Sequence, residues 1–382
     1  MFTPQIIARF RSIETPFYYY DTDLLKKTLA VVTTLQKQYN YAIHYAFKAN
    51  ANARILQLIK KAGLGADCVS GNEIKLAIHE GFSPAHLAFA GVGKSDKEIL
   101  LALHHDIFSF NCESIPELEV INELAKKVGK IANVALRINP SVVVNTHKYI
   151  TTGSEENKFG INLSELDQVV EVVRTLSHVT LTGIHFHIGS QILELDNFKN
   201  LCLRVNELQQ FFSEKQFTLQ HVNLGGGLGI NYHQPDTEPI ADFANYFATI
   251  HKNLHRLPNQ EVHLELGRSI VGQCGSLISK VLYVKKGTAK QFIILDAGMT
   301  ELIRPALYQA YHEPQNLTTT AISQELYDVV GPICESTDCF VKEITLPTTQ
   351  RGDLFALRSA GAYTEVMASN YNLRETAKAI YN

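Results

Sequence analysis

The stretch IHYAFKANANARILQLIKKAGLGADCVSGNEIKLAIHEGFSPAHLAFAG (43–91) decides the fold, because short apolar runs alternate in it with amphipathic helical patterns. The same alternation continues to about residue 265. The apolar runs are IHYAF (43–47), ADCVS (66–70), LAFAG (87–91), IFSFN (107–111), VALRIN (134–139), TGIHFHIG (182–189), HVNLGG (221–226) and VHLELG (262–267). Eight strands alternating with helices predict a (β/α)8 barrel, a TIM-like fold whose closed parallel sheet has no exposed edge.

The pattern changes after about residue 268, where runs rich in Val, Ile, Phe and Tyr are separated by Gly and Pro. These runs are SLISKVLYVKKG, KQFIILDAG, LYDVVGPIC, CFVKEITLP and DLFALRSAGAY. Their composition is typical of strands, so we predict a second, mainly antiparallel β domain. The early run PFYYYD (16–21) either joins that domain or leads into the barrel. The predicted domains are a barrel over 21–265 and a β-rich domain over 1–20 and 266–382.

Composition disfavours several classes of partner. The 382 residues carry a formal net charge of −3 and no long basic run, so we expect binding neither to nucleic acid nor to an anionic membrane surface. No stretch approaches about 18 uninterrupted apolar residues, and MFTPQIIARF lacks the apolar core of a signal peptide. The six cysteines are widely spaced and form no CxxC pair. A cytoplasmic location without disulfides is the simplest expectation.

The C-terminal ends of the predicted barrel strands carry polar groups suited to chemistry. Barrels of this kind place their active sites at these ends. The residues found there are Lys48, Asp67, Arg137, His187, the triplet Gly225–Gly227 and Glu265. Lys48 follows the apolar run HYAF, so its partly desolvated amine could form a Schiff base. The alternative interpretation is a solvated loop lysine.

Two further patterns each have a functional and a structural interpretation. The triplet Gly225–Gly227 follows the seventh predicted strand, where its N–H groups could approach a phosphate; the alternative is a flexible turn. His185 and His187 are two residues apart and share one face of a strand. They could bind a metal, or a structural histidine could lie below one that stacks on a cofactor. Metal-binding barrels resembling this pattern carry it on the first strand rather than the sixth, so we expect no metal.

An acid and a thiol complete the candidates. Glu265 ends the eighth predicted strand and could pair with a protonated ring nitrogen or, alternatively, with Arg268 in a salt bridge. Cys334 and Glu335 lie in the segment GPICESTD of the β-rich part. The CxxxxC spacing of Cys334 and Cys339 is not that of a zinc site, so a buried structural cysteine is the default interpretation.

Taken together, the motifs resemble those of one family, the diaminopimelate decarboxylases. The similar motifs are YAFKAN (45–50), GIHFHIGSQ (183–191), NLGGGLG (223–229), ELGRSIV (265–271), DAGM (296–299), RPALY (304–308), GPICESTD (331–338) and GAY (361–363). The family belongs to the fold-type III pyridoxal-phosphate enzymes, with ornithine and arginine decarboxylases and, more distantly, alanine racemase. The resemblance spans about residues 14 to 374. One departure is Leu266, where the family usually has a proline that would only stiffen the turn.

The resemblance implies a role for each candidate. Lys48 would form the Schiff base with pyridoxal 5'-phosphate, His187 would stack on its ring, and Glu265 would pair with the ring nitrogen. The other implied cofactor ligands are Asn50, Asp67, Arg137, Ser190, Gly225, Gly226, Gly227, Arg268 and Tyr363. The implied substrate ligands are Arg268, Arg304, Tyr308, Glu335 and Tyr363. Cys334 and Glu335 would reach across a head-to-tail homodimer, where Cys334 returns a proton after CO2 leaves and Glu335 binds the substrate's other amino group.

The implied activity is the decarboxylation of meso-2,6-diaminopimelate to L-lysine and CO2, the last step of lysine biosynthesis. Alternatives are a related decarboxylase for ornithine, arginine or a carboxynorspermidine-type polyamine, and then an amino acid racemase. Arg304 argues against the first, because ornithine has no second carboxylate to pair with it. Glu265 argues against the second, since a racemase carries arginine there. A non-enzymatic carrier of the cofactor would be shorter and lack the second domain.

Overall fold

The computed structural model describes residues 2–142, 158–288 and 290–382, so part of the predicted barrel, 143–157, lies outside the described residues. The strands are β1 (Phe17–Tyr20), β2 (Tyr41–Ala46), β3 (Gly65–Cys68), β4 (Leu87–Phe89), β5 (Ser109–Cys112), β6 (Ala132–Arg137), β7 (Val179–His185), β8 (His221–Asn223), β9 (Glu261–Leu266), β10 (Gly275–Lys286), β11 (Gln291–Leu295), β12 (Pro314–Asn316), β13 (Gln324–Val330), β14 (Cys339–Pro347), β15 (Leu354–Leu357) and β16 (Lys378–Tyr381). The α-helices are α1 (Pro4–Phe10), α2 (Thr22–Tyr39), α3 (Ala53–Lys61), α4 (Gly71–His79), α5 (Asp96–His104), α6 (Ile115–Lys127), α7 (Leu166–Thr175), α8 (Asp196–Glu214), α9 (Phe243–Asn253), α10 (Arg268–Val271) and α11 (Arg304–Tyr308). Short 3-10 turns cover Phe47–Ala49, Pro84–His86, Leu163–Glu165, Glu365–Met367 and Tyr371–Leu373.

Strands β2 to β9 form a closed parallel barrel in chain order. The circle closes between the first and last of them, where His44 pairs with Glu265 and Tyr45 with Leu266. Each of the eight predicted runs contributes one barrel strand, so the barrel prediction is confirmed. The sixth predicted run, TGIHFHIG (182–189), extends too far, because β7 ends at His185. His187 therefore lies two residues past the strand and does not share a strand face with His185.

Most of the helices between these strands begin where the sequence supplies a capping side chain. Ser70 accepts a hydrogen bond from the Glu73 N–H at the start of α4, and Ser114 does the same for the Glu117 N–H at the start of α6. Such caps satisfy amide groups that have no partner within the helix. In α3 the side chains of Ile55, Leu56 and Ile59 are buried, while Lys60 and Lys61 stand in the last turn. The apolar side chains of this helix thus face the core, and its lysines lie at the C-terminal end, where positive charge is favoured.

The second sheet runs in the order β12-β15-β10-β11-β13-β14, with β1 pairing with β10 and β16. Most pairs are antiparallel, as predicted, but β11 pairs with β13 in parallel, and so does β1 with β16. The run PFYYYD therefore joins this sheet through β1, whose four residues are all buried. Strands β12 and β16 were not predicted. Their residues, PQN and KAIY, do not form an apolar run of the kind that marked the other strands.

Two compact units make up the chain. The barrel unit comprises Leu29–Gly229 and Asp242–Gly267, and the sheet unit comprises Met1–Thr28, Ile230–Ala241 and Arg268–Asn382. The segment Ile230–Ala241 groups with the sheet unit although it lies between β8 and β9 in the chain. Within the described ranges, no helix combines the length and apolarity needed to cross a membrane.

Candidate active site

Lys48 lies just past β2, in the 3-10 turn Phe47–Ala49. Its Nζ is 3.0 Å from Oδ2 of Asp67. Asp67 lies in β3, directly opposite Ala46 of β2. The Lys48 side chain is 37% exposed, whereas that of Asp67 is fully buried. A buried carboxylate therefore holds an accessible amine at the C-terminal end of the barrel.

Glu265 is buried in β9 and accepts three hydrogen bonds. Its Oε1 accepts from Nδ2 of Asn111 at 3.0 Å and from Nδ2 of Asn223 at 2.7 Å, and its Oε2 accepts from Nε2 of His185 at 2.9 Å. Burial alone would raise the pKa of Glu265, but the His185 ring and the Lys48 ammonium outweigh it and hold the pKa well below its usual range. The carboxylate is thus kept charged in a buried place.

The pKa of Asp67 is shifted in the opposite direction to that of Glu265. Burial, followed by the negative charge of Glu265, raises the pKa of Asp67 above its ordinary value, although the Lys48 ammonium opposes this. The Oδ1 atom of Asp67 is buried without a hydrogen-bond partner in the part of the chain that the structure describes. Two neighbouring carboxylates pushed apart in pKa are typical of sites that move protons.

The two histidines of the H-x-H pattern have different surroundings. His185 is fully buried against Glu265, whereas His187 is half-buried, and its Nδ1 faces the Gly226 N–H at 3.5 Å. Burial, with the charges of Arg137 and Lys48, lowers the pKa of His187 well below its ordinary value, so its ring is neutral. Among the described residues, no group of three or more His, Cys, Asp or Glu side chains has the geometry of a metal site.

Arg137 and Asn50 are both buried but bind to the protein itself. Nη1 of Arg137 donates to Oε1 of Glu113 at 2.6 Å, and the other oxygen of Glu113 accepts from the Gly160 N–H. The Asn50 carbonyl accepts from the Tyr45 hydroxyl, and its side-chain oxygen accepts from the backbone N–H two residues on. These contacts fix the backbone around the strand ends.

The triplet Gly225–Gly227 follows β8 in a very crowded place. A Cβ on Gly225 would collide with the carbonyl oxygen of Phe186, and one on Gly226 with that of Glu265. Gly225 and Gly227 also adopt positive φ angles of 68° and 109°, which favour glycine. The Gly227 N–H has no acceptor within the described ranges, while Ser190 stands half-buried in the loop after β7. The triplet is a fixed turn rather than a flexible one, and it leaves a backbone donor available.

In the sheet unit, Arg268 and Arg304 meet at one phenol oxygen. Nη1 of Arg268 donates to the Tyr232 hydroxyl at 2.6 Å and Nη1 of Arg304 donates to it at 2.9 Å. The same Nη1 of Arg304 donates to Nε2 of His312 at 2.8 Å. Burial alone would raise the pKa of Tyr232, but the two guanidinium groups outweigh it and lower that pKa.

The predicted tyrosines stand at the edge of this group. Tyr363 has a positive φ of 56°, and its ring lies 4.8 Å from the guanidinium carbon of Arg268. Tyr308 closes the short helix α11 that Arg304 opens, and is half-buried. The structure therefore brings Arg268, Arg304 and Tyr363 together around Tyr232.

Cys334 and Glu335 are exposed, so the interpretation of Cys334 as a buried structural cysteine is wrong. Asp338 anchors their loop, because its two carboxylate oxygens accept from the N–H groups of Met299 at 2.6 Å and Ile333 at 2.7 Å. Glu335 accepts a hydrogen bond from the Tyr371 hydroxyl at 2.6 Å. The loop thus presents a thiol and a carboxylate on a fixed backbone.

Sequence reasoning missed the residues that support these groups. Asn111 is the next-to-last residue of β5 and Asn223 is the last of β8, so their positions were visible, but nothing in the sequence joins them to Glu265. Tyr232 follows the glycine triplet closely, and His312 follows RPALY, which is the only signal that either carries.

The donor set of the barrel unit fits pyridoxal phosphate. The accessible Lys48 amine suits an aldehyde. A carboxylate has about four lone-pair positions, and Glu265 uses three of them within the protein, which leaves one for a protonated ring nitrogen. The Gly227 N–H suits a phosphate oxygen.

Comparison with known proteins agrees with this assignment. Residues 23–272 match the pyridoxal-binding domain of the pyridoxal-dependent decarboxylases. Fold and site thus define a pyridoxal-phosphate enzyme of the decarboxylase class, a carboxy-lyase. The arginine decarboxylase of Paramecium bursaria Chlorella virus, which is 20% identical, shares the fold, with a TM-score of 0.88 over 99% of each chain.

Closer relatives narrow the class. A diaminopimelate decarboxylase of Bacteroides thetaiotaomicron is 57% identical over 97% of this chain and 96% of its own length. The crystal structure of diaminopimelate decarboxylase from Helicobacter pylori complexed with L-lysine is 38% identical, with a TM-score of 0.92 over 98% of this chain and 93% of that one. The chain belongs to the diaminopimelate decarboxylase family.

Proposed function

We propose that this enzyme removes CO2 from the D-centre of meso-2,6-diaminopimelate and releases L-lysine, as the last step of lysine biosynthesis. The observation that carries the proposal is Arg304, a cation that is 5% exposed. Within the described residues its hydrogen bonds go to a phenol and an imidazole rather than to a carboxylate. A buried cation without an anionic partner is costly, so a substrate that brings a carboxylate suits it.

The chain's own residues divide the work. Bound pyridoxal phosphate supplies an electron sink for the charge left when CO2 departs. Lys48 holds the cofactor and then takes part in product release, while Glu265 keeps its negative charge where the ring nitrogen binds. The neutral His187 ring offers a face for stacking.

We assign the remaining ligands by the same family resemblance. Asn50, Asp67, Arg137, Ser190, Gly225, Gly226, Gly227, Arg268 and Tyr363 serve the cofactor. Arg304 and Tyr308 hold the substrate's distal carboxylate, assisted by Arg268 and Tyr363. The barrel over 21–265 is the proposed cofactor-binding domain, and 1–20 with 266–382 supply the substrate ligands.

A homodimer completes this proposal. Cys334 and Glu335 are exposed on an anchored loop, which suits residues that serve the active site of a second subunit. There Cys334 returns a proton to the substrate carbon and Glu335 binds the second amino group. The cysteines are all free, which supports a cytoplasmic location.

Subunit mixing tests the shared site. Lys48→Ala and Cys334→Ala are each expected to be inactive, but a refolded mixture should recover up to about a quarter of wild-type activity, because mixed dimers hold one intact site. Recovery requires that the two residues of one site come from different subunits. A mixture as inactive as its parents would contradict sharing.

A substrate panel tests the function itself. Purified protein with pyridoxal phosphate should release CO2 and lysine from meso-diaminopimelate, and release CO2 much more slowly from ornithine, arginine or carboxynorspermidine. Faster turnover of any of these three would assign the enzyme to a related decarboxylase. Racemisation without CO2 release would assign it to the racemases.

A further inference from the structure

We propose that Tyr232 is a positioning residue, which holds Arg268 and Arg304 as a pair for the carboxylate that the substrate keeps, with His312 as a second support. The proposal rests on the function proposed above and deepens it. Neither Tyr232 nor His312 belongs to the motifs that assigned the other site residues.

The phenol oxygen of Tyr232 is what keeps two cations together. Arg268 and Arg304 are 6% and 5% exposed, and Tyr232 is 7% exposed, so water screens their repulsion poorly. A phenol oxygen has two lone pairs, and each arginine uses one of them. The ring adds to this, since the guanidinium carbons lie 5.9 Å and 5.2 Å from its centroid.

His312 fixes the rotation of the Arg304 guanidinium. The ring is fully buried, and its Nδ1–H donates to the carbonyl of Arg358 at 2.9 Å. That bond leaves Nε2 as an acceptor, and Nη1 of Arg304 donates to it. The tautomer follows from the partners, because a carbonyl only accepts and a guanidinium only donates.

Tyr232 and His312 together occupy Nη1 of Arg304 and leave its Nε and Nη2 for a ligand. Nη1 carries two hydrogens, one for Tyr232 and one for His312. The N–H groups of Nε and Nη2 have no acceptor in the ranges that the structure describes. These two nitrogens form the fork that binds a carboxylate through two parallel hydrogen bonds. The network therefore aims a bidentate edge by occupying the opposite nitrogen.

The experiment compares two ligands that differ by one carboxylate. L-Lysine keeps the carboxylate that Arg304 would bind, and cadaverine is the same molecule without it. Their dissociation constants for the pyridoxal-phosphate-loaded enzyme are measured by calorimetry, in wild type and Tyr232→Phe. We expect Tyr232→Phe to weaken lysine binding about 10-fold, the size of a lost charge-assisted hydrogen bond, and cadaverine binding less than about twofold.

The matched control is Tyr246→Phe. Tyr246 is also buried, and its hydroxyl has no hydrogen-bond partner among the described residues, so its loss should alter neither dissociation constant. Equal weakening of both ligands by Tyr232→Phe, or no weakening of lysine, would overturn the positioning role. If the wild type itself binds cadaverine as tightly as lysine, the proposed function fails instead.

His312 variants provide an independent readout. Glutamine can place an oxygen where Nε2 accepts from Arg304, whereas alanine cannot. We expect His312→Ala to raise KM for diaminopimelate about 10-fold with a smaller change in kcat, and His312→Gln to recover most of that loss. Equal KM values for the two variants would contradict the role of this acceptor.

Discussion

Two polar clusters, one in each unit, treat buried charge in opposite ways. In the barrel unit, carboxylates dominate, and each has cationic or N–H donors: Asp67 meets Lys48, and Glu265 meets His185 and two amides. In the sheet unit, Arg268 and Arg304 dominate, and the partners described above are a phenol and an imidazole. The first cluster sets the charge of its own groups, and we propose that the second binds the carboxylate that the substrate keeps.

The contrast also holds within the barrel cluster. Asp67 and Glu265 are both buried carboxylates at strand ends, yet the pKa of Asp67 is raised and that of Glu265 is lowered. Three hydrogen-bond donors distinguish Glu265, whereas one oxygen of Asp67 has no partner among the described residues. Burial alone therefore does not decide the charge of an acid; the donors around it do.

The largest expected effect comes from breaking the barrel cluster at its cation. Lys48→Ala should lower kcat by at least about 1,000-fold, because no other group can take the place of a covalent amine. The visible absorbance of the bound cofactor should also be lost. A visible band that survives dialysis of the variant, and that borohydride converts into covalently attached reduced cofactor, would show that another residue holds the cofactor.

Breaking the arginine cluster is expected to have the next largest effect. Arg304→Ala should lower kcat/KM for diaminopimelate by at least about 100-fold, the cost of leaving a buried carboxylate without its partner. Arg304→Lys is the matched variant, because it keeps the charge but loses the bidentate fork. Its kcat/KM should lie between those of the wild type and Arg304→Ala. An unchanged rate in the alanine variant would remove the argument for the substrate.

Glu265→Gln sharpens the comparison, because it removes the charge and keeps the shape. We expect kcat to fall about 10- to 100-fold while the protein stays folded, since preorganised charge of this kind is worth a few kcal/mol. Asn223→Asp is a useful companion: it replaces a donor to Glu265 with a second acid and should lower kcat as well. Full activity in Glu265→Gln would show that the charge is dispensable.

The smallest effect concerns stability and pH. Burial raises the pKa of Glu73 to about 7; the Val69 N–H opposes this, and the charge of Asp67 adds to it. Because the folded pKa exceeds the ordinary 4.5, the stability contribution is complete below about pH 4.5 and is lost as pH rises through about 7. The free energy of unfolding of the wild type should therefore fall as pH rises between these values. In Glu73→Gln that fall should be smaller by about 1–2 kcal/mol, as measured by urea unfolding.

Glu98 provides the control of opposite sign. Its pKa is lowered by hydrogen bonds from the Gly71 N–H and from Ser95, so its contribution is present above pH 4.5 and is lost on acidification. Glu98→Gln should lose stability at neutral pH. Parallel pH profiles for Glu73→Gln and wild type would contradict the raised pKa.

Local patterns predicted most of the fold. Each barrel strand is a short apolar run, and most of the helices between the strands have their own caps, so periodicity was enough to count the strands. There are two exceptions: β12 and β16 have no apolar run to mark them, and the apolar run that contains His187 continues past the end of β7. The grouping of Ile230–Ala241 with the sheet unit depends on contacts that no local pattern contains.

In the candidate site too, local patterns predicted some residues and long-range contacts decided the others. Lys48, Asp67 and Glu265 were visible because strand ends converge at one end of a barrel. Asn111 donates to a residue 154 positions away, and Tyr232 accepts from one 72 positions away. Pairings at such distances are set by the closed fold, so sequence spacing could not show them.

The glycine triplet has a consequence for tracing ancestry. Its first two members are glycine because the carbonyl oxygens of Phe186 and Glu265 occupy the space that any larger residue would need. That requirement concerns how adjacent loops abut and holds whether or not a vitamin-derived group is bound. A descendant that had abandoned catalysis would retain the triplet for as long as it kept the barrel, so the motif marks shared architecture rather than retained chemistry.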